Sequence, residues 1–387
     1  MKGYKERNGK IYARKTYRDE KGKRHEVWRV VESKSKVKAA IRDIENQLEE
    51  SPEAFEYRDT VNEFLDKWLA AAKQNVSPRT YEDYAGLMRL YVRPVLGAKK
   101  LASVRPLDVQ DWVNGMAASG KSPRTIRYAH CIFQMALKRG VRWKLLASNP
   151  ASDVEVPKSV RREMKVLTAD QAQAFLTEAY KGKHGLMFDL AMHTGMRPEE
   201  YLGLKWPDID FKAGTLMVQR TLVWKRWKTE YYFGEPKTSR SRRTIPLSAR
   251  LVKALDAHRI KQLELRMRAG TAWANLDLVF CCEGKVKKLE GGKVKTLEGA
   301  GMPHSIRNLL RRHFKPILKR AGLPDIRLYD IRHTCATLLL AAGENPKVVS
   351  ERLGHASIVL TLDVYSHVLP TMQQGATEKL EKILKKG

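Results

Sequence analysis

Apolar and polar residues follow different periods in three successive segments of the chain. In the first ~50 residues, runs at 10–17 and 26–31 are rich in β-branched and aromatic residues and flank a polar turn. Apolar residues at helical spacing follow over residues 35–50. This pattern predicts a small three-stranded sheet plus one helix over residues 1–52.

The second segment, residues 58–150, has helical periodicity throughout and predicts an all-α domain. Two of its helix starts nearly repeat each other, at Ser77-Pro78-Arg79 and Ser122-Pro123-Arg124. Serine supplies a capping oxygen, and proline is tolerated next because its missing N–H would have no partner there. We expect the apolar positions of these helices to form the core: Trp68, Leu69, Leu87, Leu90, Trp112, Ile132, Phe133 and Leu137.

The third segment, residues 167–387, combines both periods and follows a polar, proline-containing linker at 151–166. It opens with a helix capped at Thr168, continues with strand-like runs at 215–223 and 244–247, and ends in further helices. A mainly α domain with a small β-sheet is predicted. The whole chain is therefore expected to be a multidomain α+β protein.

Two stretches of this third segment have a composition of their own. The insert at 284–301 is low in complexity and rich in lysine, which predicts a basic, mobile loop without an assigned role. The tail at 375–387 has Thr377, Leu380, Ile383 and Leu384 at helical spacing and predicts a short amphipathic helix.

Charge and cysteine usage restrict the class of partner. The 387 residues include 73 Lys or Arg against 43 Asp or Glu, a formal charge of +30. Such a field favours polyanions, including anionic membranes and ribosomal RNA, because phosphate contacts release condensed counterions. No apolar run is long enough to cross a bilayer, and the first residues contain no signal-peptide core. Four cysteines (Cys131, Cys281, Cys282, Cys335) show neither zinc spacing nor a disulfide framework. We expect a soluble, intracellular protein that faces nucleic acid and has no membrane partner.

The basic residues of the first two segments have competing interpretations. Residues 1–42 carry fifteen Lys or Arg and five Asp or Glu, interleaved with aromatic side chains. A solvated basic hairpin is one interpretation, but we favour DNA contact through Arg14, Lys15 and Arg29 because the module is too small to be an enzyme. Arg79 and Arg124 oppose the dipole of the helix that each begins, so a phosphate there would compensate. Two good caps with exposed arginines explain the same pattern equally well.

Five side chains of the third segment fit one reaction when taken together: Arg197, Lys237, Arg332, His355 and Tyr365. Attack on a phosphodiester builds negative charge on the non-bridging oxygens, which two arginine forks neutralise well. A tyrosine hydroxyl has a pKa of ~10 in water and needs a base or a cationic field before it attacks. A histidine can accept that proton or hold the phosphate, and a lysine can protonate the departing 5′-oxygen. Because the phosphotyrosine keeps the bond energy, no ATP, metal or other cofactor is expected.

Four boxes in the same order resemble those of the tyrosine recombinase (phage integrase) family. GMRPEEYLGLKWPDID at 195–210 resembles the first-arginine box, and KTSRSRRTIPL at 237–247 resembles the hairpin-lysine strand. DIRHTCAT at 330–337 is similar to the second-arginine helix. LGHASI at 353–358, followed by Thr361 and Tyr365, is similar to the closing box.

One position departs from the family's His-x-x-Arg pattern, because Tyr329 stands where the histidine is usual. A phenol donates a hydrogen bond to phosphate but does not become a cation near neutral pH. We interpret Tyr329 as a tolerated substitute with a weaker electrostatic contribution. His333, next to Arg332 in the sequence, is not expected to replace it, since neighbours on a helix point about 100° apart.

The resemblance implies a role for each matched residue. Arg197 and Arg332 would clamp the scissile phosphate, and Glu200 would orient Arg197. Lys237 would be the general acid, His355 would assist proton transfer or phosphate binding, and Tyr365 would form a 3′-phosphotyrosine intermediate. We expect further DNA contacts at Arg240 and Arg243, beside the lysine.

The resemblance also implies an architecture and a set of partners. Residues 58–150 would be a core-binding domain and 167–387 the catalytic domain, together clamping double-stranded DNA, with 1–52 similar to the arm-binding domain of mobile-element integrases. It implies integration and excision between attachment sites by a homotetramer through a Holliday junction, in the cytoplasm and nucleoid of a bacterial host. A directionality factor and a host DNA-bending protein would be further partners. In relatives the tail packs on a neighbouring protomer; packing on its own domain stays an alternative.

Two rival functions share this resemblance. A type IB topoisomerase-like enzyme would use similar chemistry but needs neither an arm module nor defined sites. A non-catalytic DNA-binding regulator on the same fold is the other rival, and it is disfavoured because binding alone does not require Tyr365.

Overall fold

The computed structural model describes residues 3–7, 10–18, 24–50, 58–158, 165–225, 230–235, 241–288, 295–355 and 357–365, together with Thr377, Glu381 and Leu384. The chain divides into two compact units, Met1–Arg161 and Arg162–Gly387, each with its own apolar core. Over the part of the chain so described, no helix has both the length and the apolar character that a membrane crossing requires.

A three-stranded antiparallel sheet opens the first unit. Its strands, in spatial order, are β1 (Tyr4–Arg7), β2 (Lys10–Arg18) and β3 (Arg24–Val31). Helix α1 (Val37–Glu50) packs against β2 and β3 and buries Ile44. The predicted sheet with one helix is confirmed.

The rest of the first unit is helical, as predicted. Its helices are α2 (Val61–Lys73), α3 (Pro78–Leu87), α4 (Arg93–Leu96), α5 (Pro106–Ala118) and α6 (Pro123–Arg142). Both predicted serine caps are confirmed: the Ser77 hydroxyl accepts from the N–H of Thr80 at 3.3 Å, and that of Ser122 from Thr125 at 3.2 Å. The rings of Trp112 and Phe133 meet edge-on with centroids 5.7 Å apart at the centre of this core.

One predicted core residue of these helices is on the surface instead. Met88 and Val92 are fully buried, whereas Leu90, two residues from each, is 52% exposed. The three residues share a widened helical turn, Met88–Val92, that ends just before Pro94. Proline lacks the N–H that a regular helix needs and its ring crowds the preceding turn, so the widened turn absorbs the mismatch. Leu90 was therefore assigned to the wrong face.

The second unit combines nine described helices with small antiparallel sheets. The helices are α7 (Ala169–Tyr180), α8 (Gly185–Thr194), α9 (Pro198–Leu202), α10 (Ala249–Ala269), α11 (Ile306–Leu309), α12 (Lys315–Arg320), α13 (Asp330–Ala341), α14 (Pro346–Leu353) and α15 (Ile358–Tyr365). The strands are β4 (Ile209–Asp210), β5 (Thr215–Val218), β6 (Thr221–Trp224), β7 (Tyr231–Gly234), β8 (Arg243–Pro246), β9 (Lys285–Lys288) and β10 (Lys295–Glu298). Strands pair as β4-β5-β8, β6-β7 and β9-β10.

The core of the second unit is built around three aromatic rings. Phe175, Phe188 and Phe314 lie with centroids 5.5–5.8 Å apart, edge-on or tilted, which is the favoured geometry for such rings. The predicted cap of α7 is confirmed, because the Thr168 hydroxyl accepts from Gln171 N–H while the Gln171 side chain accepts from Thr168 N–H.

The single strand predicted at 215–223 is in fact two strands in different sheets. Gln219 and Arg220 separate β5 from β6, and both side chains bond the buried carboxylate of Asp208. Two successive side chains that reach the same group break the alternation of a strand. β7, which pairs with β6, was not predicted.

Part of the loop predicted at 284–301 is instead the two strands β9 and β10, so the prediction is wrong for their secondary structure. These strands pair antiparallel with Lys285 opposite Glu298 and Lys288 opposite Lys295. The predicted tail helix at 375–387 lies largely outside the described residues, as does most of the linker beyond residue 158.

Candidate active site

The first predicted arginine lies at a sharp turn between two helices. Helix α8 ends at Thr194, Gly195 takes the left-handed conformation with φ of +64°, and Arg197 caps α9. The backbone N–H of Arg197 donates to Glu200 Oε2 at 2.9 Å, and its Nη1 donates to Oε1 at 2.7 Å. Glu200 thus holds both the main chain and the guanidinium of Arg197, and the orienting role that the resemblance implies for it stays a prediction.

Glu200 is buried and serves two arginines. Besides Arg197, it accepts from Arg243 Nη2 at 2.8 Å and Nη1 at 3.3 Å. Burial alone would raise the pKa of this carboxyl, but the hydrogen bonds and charges of Arg243 and Arg197 outweigh it, and the net pKa is lowered. The carboxylate is therefore ionised at neutral pH.

The second predicted arginine is buried close to the first. Arg332, in the first turn of α13, is 1% exposed and donates Nη1 to the Gly195 carbonyl at 2.8 Å. Its Nη2 is also buried and has no hydrogen-bond partner among the described residues. Burial, followed by the positive charge of Arg197, lowers the pKa of Arg332 to about 10, so it stays protonated at neutral pH.

The predicted histidine follows a second left-handed glycine. Helix α14 ends at Leu353, Gly354 has φ of +66°, and His355 comes next. His355 Nδ1 is hydrogen-bonded to Thr361 Oγ1 at 2.8 Å, and Thr361 is fully buried. Burial and then the charges of Arg332 and Arg197 lower the pKa of His355 to about 3. The imidazole is therefore neutral near pH 7.

Contacts of Arg197 bring the boxes together. Its Nη2 donates to the Gly354 carbonyl at 3.5 Å, which joins the first-arginine turn to the closing box. Its Nε donates to the Tyr329 hydroxyl at 3.3 Å, so this phenol lies in the site at the position where the family's histidine is usual. The Tyr329 and His333 rings are one helical turn apart, with centroids at 5.5 Å, so the expectation that His333 points away from Tyr329 is wrong.

Two of the predicted catalytic groups fall outside the described side chains. Lys237 is one of them and lies in the undescribed residues between β7 and β8, as does the predicted DNA contact Arg240. Tyr365 is described as the last residue of α15, ten residues after His355, but its side chain is not.

The basic residues predicted to contact DNA differ in their surroundings. Lys15 and Arg29 pair with Glu45 and Asp43 of α1 and so lie on the covered face of the first sheet. Arg14 lies on the other face, over the Trp28 ring at 5.3 Å, and pairs with Glu26 at 2.5 Å. At the helix starts, Arg124 is exposed, and Arg79 Nε lies 3.6 Å from Asp83. DNA contact at these positions stays a prediction.

Sequence reasoning assigned Arg243 to DNA contact and missed its bonds to Glu200. Only 6% of its side chain is exposed, and its guanidinium is occupied by protein groups. The available signal was strand alternation, because Ile245 is in the core and Arg243, two residues earlier, faces the same side. The role of Thr361 in holding His355 was also missed, although the residue was quoted in the closing box.

Comparison with known proteins agrees with this geometry. The model of the phage integrase family matches residues 165–372, and that of the phage integrase N-terminal SAM-like domain matches residues 60–117. A "Tyrosine recombinase XerC-like" protein of Caldanaerobacter subterraneus subsp. tengcongensis is 33% identical over 97% of this chain and 97% of its own. An integrase of Streptomyces ambofaciens is 30% identical over 92% of this chain and 87% of its own.

Solved structures with the same fold are integrases bound to DNA. The Tn1549 transposon integrase in complex with transposon right end DNA has a TM-score of 0.65 and 25% identity, over 83% of this chain and 99% of that one. A lambda integrase tetramer bound to a Holliday junction has a TM-score of 0.57 and 18% identity, over 94% of each chain.

Arg197 and Arg332 lie in the region that the family model matches, and these matches define the class: the chain belongs to the phage integrase family. It is a tyrosine site-specific recombinase, an enzyme of the integrase type.

Proposed function

We propose that this recombinase integrates and excises a mobile element, cutting DNA through a 3′-phosphotyrosine bond to Tyr365. The observation that carries the proposal is the buried positive charge of Arg332, which lies close to Arg197 and has an Nη2 with no hydrogen-bond partner in the described part of the chain. A buried charge of this kind is costly unless an opposite charge completes it.

The charges around Glu200 leave room for an anion. One carboxylate serves Arg197 and Arg243, while Arg332 is held only by a carbonyl among the described residues. A phosphodiester brings one negative charge, and its five-coordinate transition state brings more. Arginine forks arranged before the substrate arrives stabilise that developing charge without reorganisation.

His355 would act as a neutral imidazole. With Nδ1 bonded to Thr361, Nε2 is the ring atom that remains to accept the Tyr365 proton or to bond a phosphate oxygen. Lys237 would protonate the departing 5′-oxygen, a role that rests on its place in the hairpin-lysine box. Tyr329 would help to hold Arg197 and bond phosphate without adding a charge.

Double-stranded attachment sites, bound by a homotetramer, are the proposed substrate. This choice is supported by relatives that are named integrases and by similar structures solved on transposon end DNA and on a Holliday junction. They favour it over a topoisomerase and over a non-catalytic DNA-binding regulator. A directionality factor and a host DNA-bending protein would set the balance of integration and excision in the bacterial nucleoid.

A nicked suicide substrate with one core site tests the proposal. The wild-type chain should form a covalent adduct that resists SDS, and Tyr365→Phe should form none while binding DNA equally. Tyr128→Phe, at an exposed ring of the first unit, is the control and should behave as the wild type. Complete relaxation of a supercoiled plasmid without attachment sites would favour the topoisomerase instead.

The first sheet is proposed as an arm-binding domain, with Arg14 and Trp28, on the face opposite α1, as the contact. Removing residues 1–50 should spare cleavage at an isolated core site and impair integration between full attachment sites. Equal integration by the shortened chain would remove this assignment.

A further inference from the structure

We propose that Arg243 is a positioning residue for DNA cleavage. It holds Glu200, and through it Arg197, in the orientation for phosphate binding, and it links the last turn of α14, just before the closing box, to the same carboxylate. This inference rests on the proposed function, because that proposal is what assigns the scissile phosphate to Arg197.

The first support is the way in which the two arginines share one carboxylate. Glu200 Oε1 accepts from Arg197 Nη1 at 2.7 Å and from Arg243 Nη1 at 3.3 Å. Oε2 accepts from the Arg197 backbone at 2.9 Å and from Arg243 Nη2 at 2.8 Å. Each oxygen thus has one bond to each arginine. Arg243 approaches as a fork, so it fixes the plane of the carboxylate as well as its position.

The second support is the set of hydrogen bonds that the Arg243 guanidinium makes to groups other than Glu200. Arg243 Nε donates to the carbonyl of Arg352 at 2.6 Å, and Nη1 also donates to that of Ser241 at 3.1 Å. Arg352 lies in the last turn of α14, three residues before His355. All three nitrogens of Arg243 are therefore engaged, and they connect β8, α9 and α14.

This geometry separates positioning from direct DNA contact. A side chain that is 6% exposed, with each nitrogen already bonded, aims a guanidinium at an external phosphate only by releasing Glu200 or Arg352. The neighbouring Arg242, unlike Arg243, is an exposed arginine on the surface and serves as the control. It is 57% exposed and pairs with the exposed Glu235 at 3.1 Å.

Loss of Arg243 would change the titration of Glu200. Among the groups that lower the pKa of this buried carboxyl, the Arg243 hydrogen bond is the largest, ahead of Arg197. Without it, burial would raise the pKa of Glu200. A protonated Glu200 has one acceptor fewer for the backbone N–H and Nη1 of Arg197. Cleavage by such a variant should therefore fall as the pH decreases through the raised pKa, whereas the wild type keeps an ionised Glu200.

Other groups at the site bear on this pH effect. Arg197, Arg332, His355 and Tyr329 lie around it on α9, α13 and the closing box. The two arginines stay charged at neutral pH and the histidine stays neutral. If the cleavage rate of the Arg243 variant falls at a pH where the wild-type rate does not, the group that titrates is therefore Glu200.

The test compares full-length Arg243→Gln, Arg243→Lys and Arg242→Gln on the nicked core-site substrate. Single-turnover cleavage at saturating protein is measured between about pH 5.5 and 8.5, with DNA affinity at two salt concentrations and thermal stability alongside. We expect Arg243→Gln to cleave roughly 100-fold more slowly, the size that a misplaced catalytic group produces. Its DNA affinity should stay within about 2-fold of the wild type with the same salt slope. Arg242→Gln should cleave normally.

Two further variants keep the proposal testable if Arg243→Gln does not fold. Arg243→Lys retains the charge, but a single ammonium cannot bond both carboxylate oxygens as the guanidinium fork does. This variant should therefore cleave DNA slowly, and its cleavage rate should fall at low pH where that of the wild type does not. Arg243→Ala should regain part of its cleavage rate in millimolar guanidinium, which a general loss of structure would not allow.

Three results would overturn the inference. Wild-type cleavage by Arg243→Gln is the first, and a weakened DNA affinity with a shallower salt slope but normal saturated cleavage is the second, since it indicates a phosphate contact. The third is a pH-independent loss that follows the unfolded fraction without rescue. Failure of the proposed function is separate, because it would appear as adducts that persist in Tyr365→Phe.

Discussion

Replacing Gly195 with alanine should destabilise the second unit and disturb the active site at the same time. Gly195 has φ of +64°, and its carbonyl accepts Arg332 Nη1 at 2.8 Å. A Cβ at this position would lie 2.5 Å from Leu353 Cδ2 and 3.3 Å from Cys335 Sγ. Both neighbours are buried, so neither moves freely. Leu353 is also two residues from His355.

The structure supplies a matched control for the magnitude. Gly322 has the same φ of +64°, also just after a helix, but a Cβ there would meet nothing within 4 Å. Gly322→Ala therefore carries only the cost of a left-handed non-glycine residue, about 1–2 kcal/mol. Gly195→Ala adds overpacking of a buried site, about 1–3 kcal/mol more.

Urea unfolding of both full-length variants measures the difference, and single-turnover cleavage measures the effect on the site. We expect Gly195→Ala to lose about 1–3 kcal/mol more stability than Gly322→Ala, and to cleave more slowly even where both are folded. Equal stability and equal cleavage for the two variants would refute the close packing inferred between the first-arginine turn and α14.

Further predictions concern His355 and the helical core. Thr361→Val should slow cleavage about 10-fold, since it removes the hydroxyl that holds His355, while Thr361→Ser should retain activity in the same assay. His355, with its pKa lowered to about 3, should show no NMR titration in the free protein between about pH 5 and 8; a step near pH 6.5 would contradict the burial described. The unfolded chain binds this proton below its ordinary pKa and the folded chain does not, so this group should reduce stability as the pH falls from about 6.5 towards 3. Leu90→Gln should change stability by less than about 0.5 kcal/mol, because Leu90 is exposed, and a larger loss would place it in the core after all.

Local signals in the sequence predicted local structure well. The caps at Ser77, Ser122 and Thr168 depend on side chains within three residues, and all three form as expected. The first sheet followed from its β-branched and aromatic runs. The closing box was recognised from its pattern, although the hydrogen bond between His355 and Thr361, only six residues apart, was missed.

Features that depend on distant partners were missed. The break between β5 and β6 is caused by the buried Asp208, which attracts the side chains of Gln219 and Arg220. Arg243 looked like one more cation of a basic chain, since its partner Glu200 is 43 residues away. Such pairings come from the tertiary fold, and no period in the sequence contains them.

Locating the covalent bond tests the central claim most directly. The full-length wild-type chain is trapped on a nicked core site, digested with a protease, and the peptide that carries the nucleotide is sequenced by mass spectrometry. A phosphodiester between the Tyr365 hydroxyl and the 3′ end of the cleaved strand is the predicted result. A nucleotide attached to any other residue, or cleavage without a covalent peptide, would contradict the account.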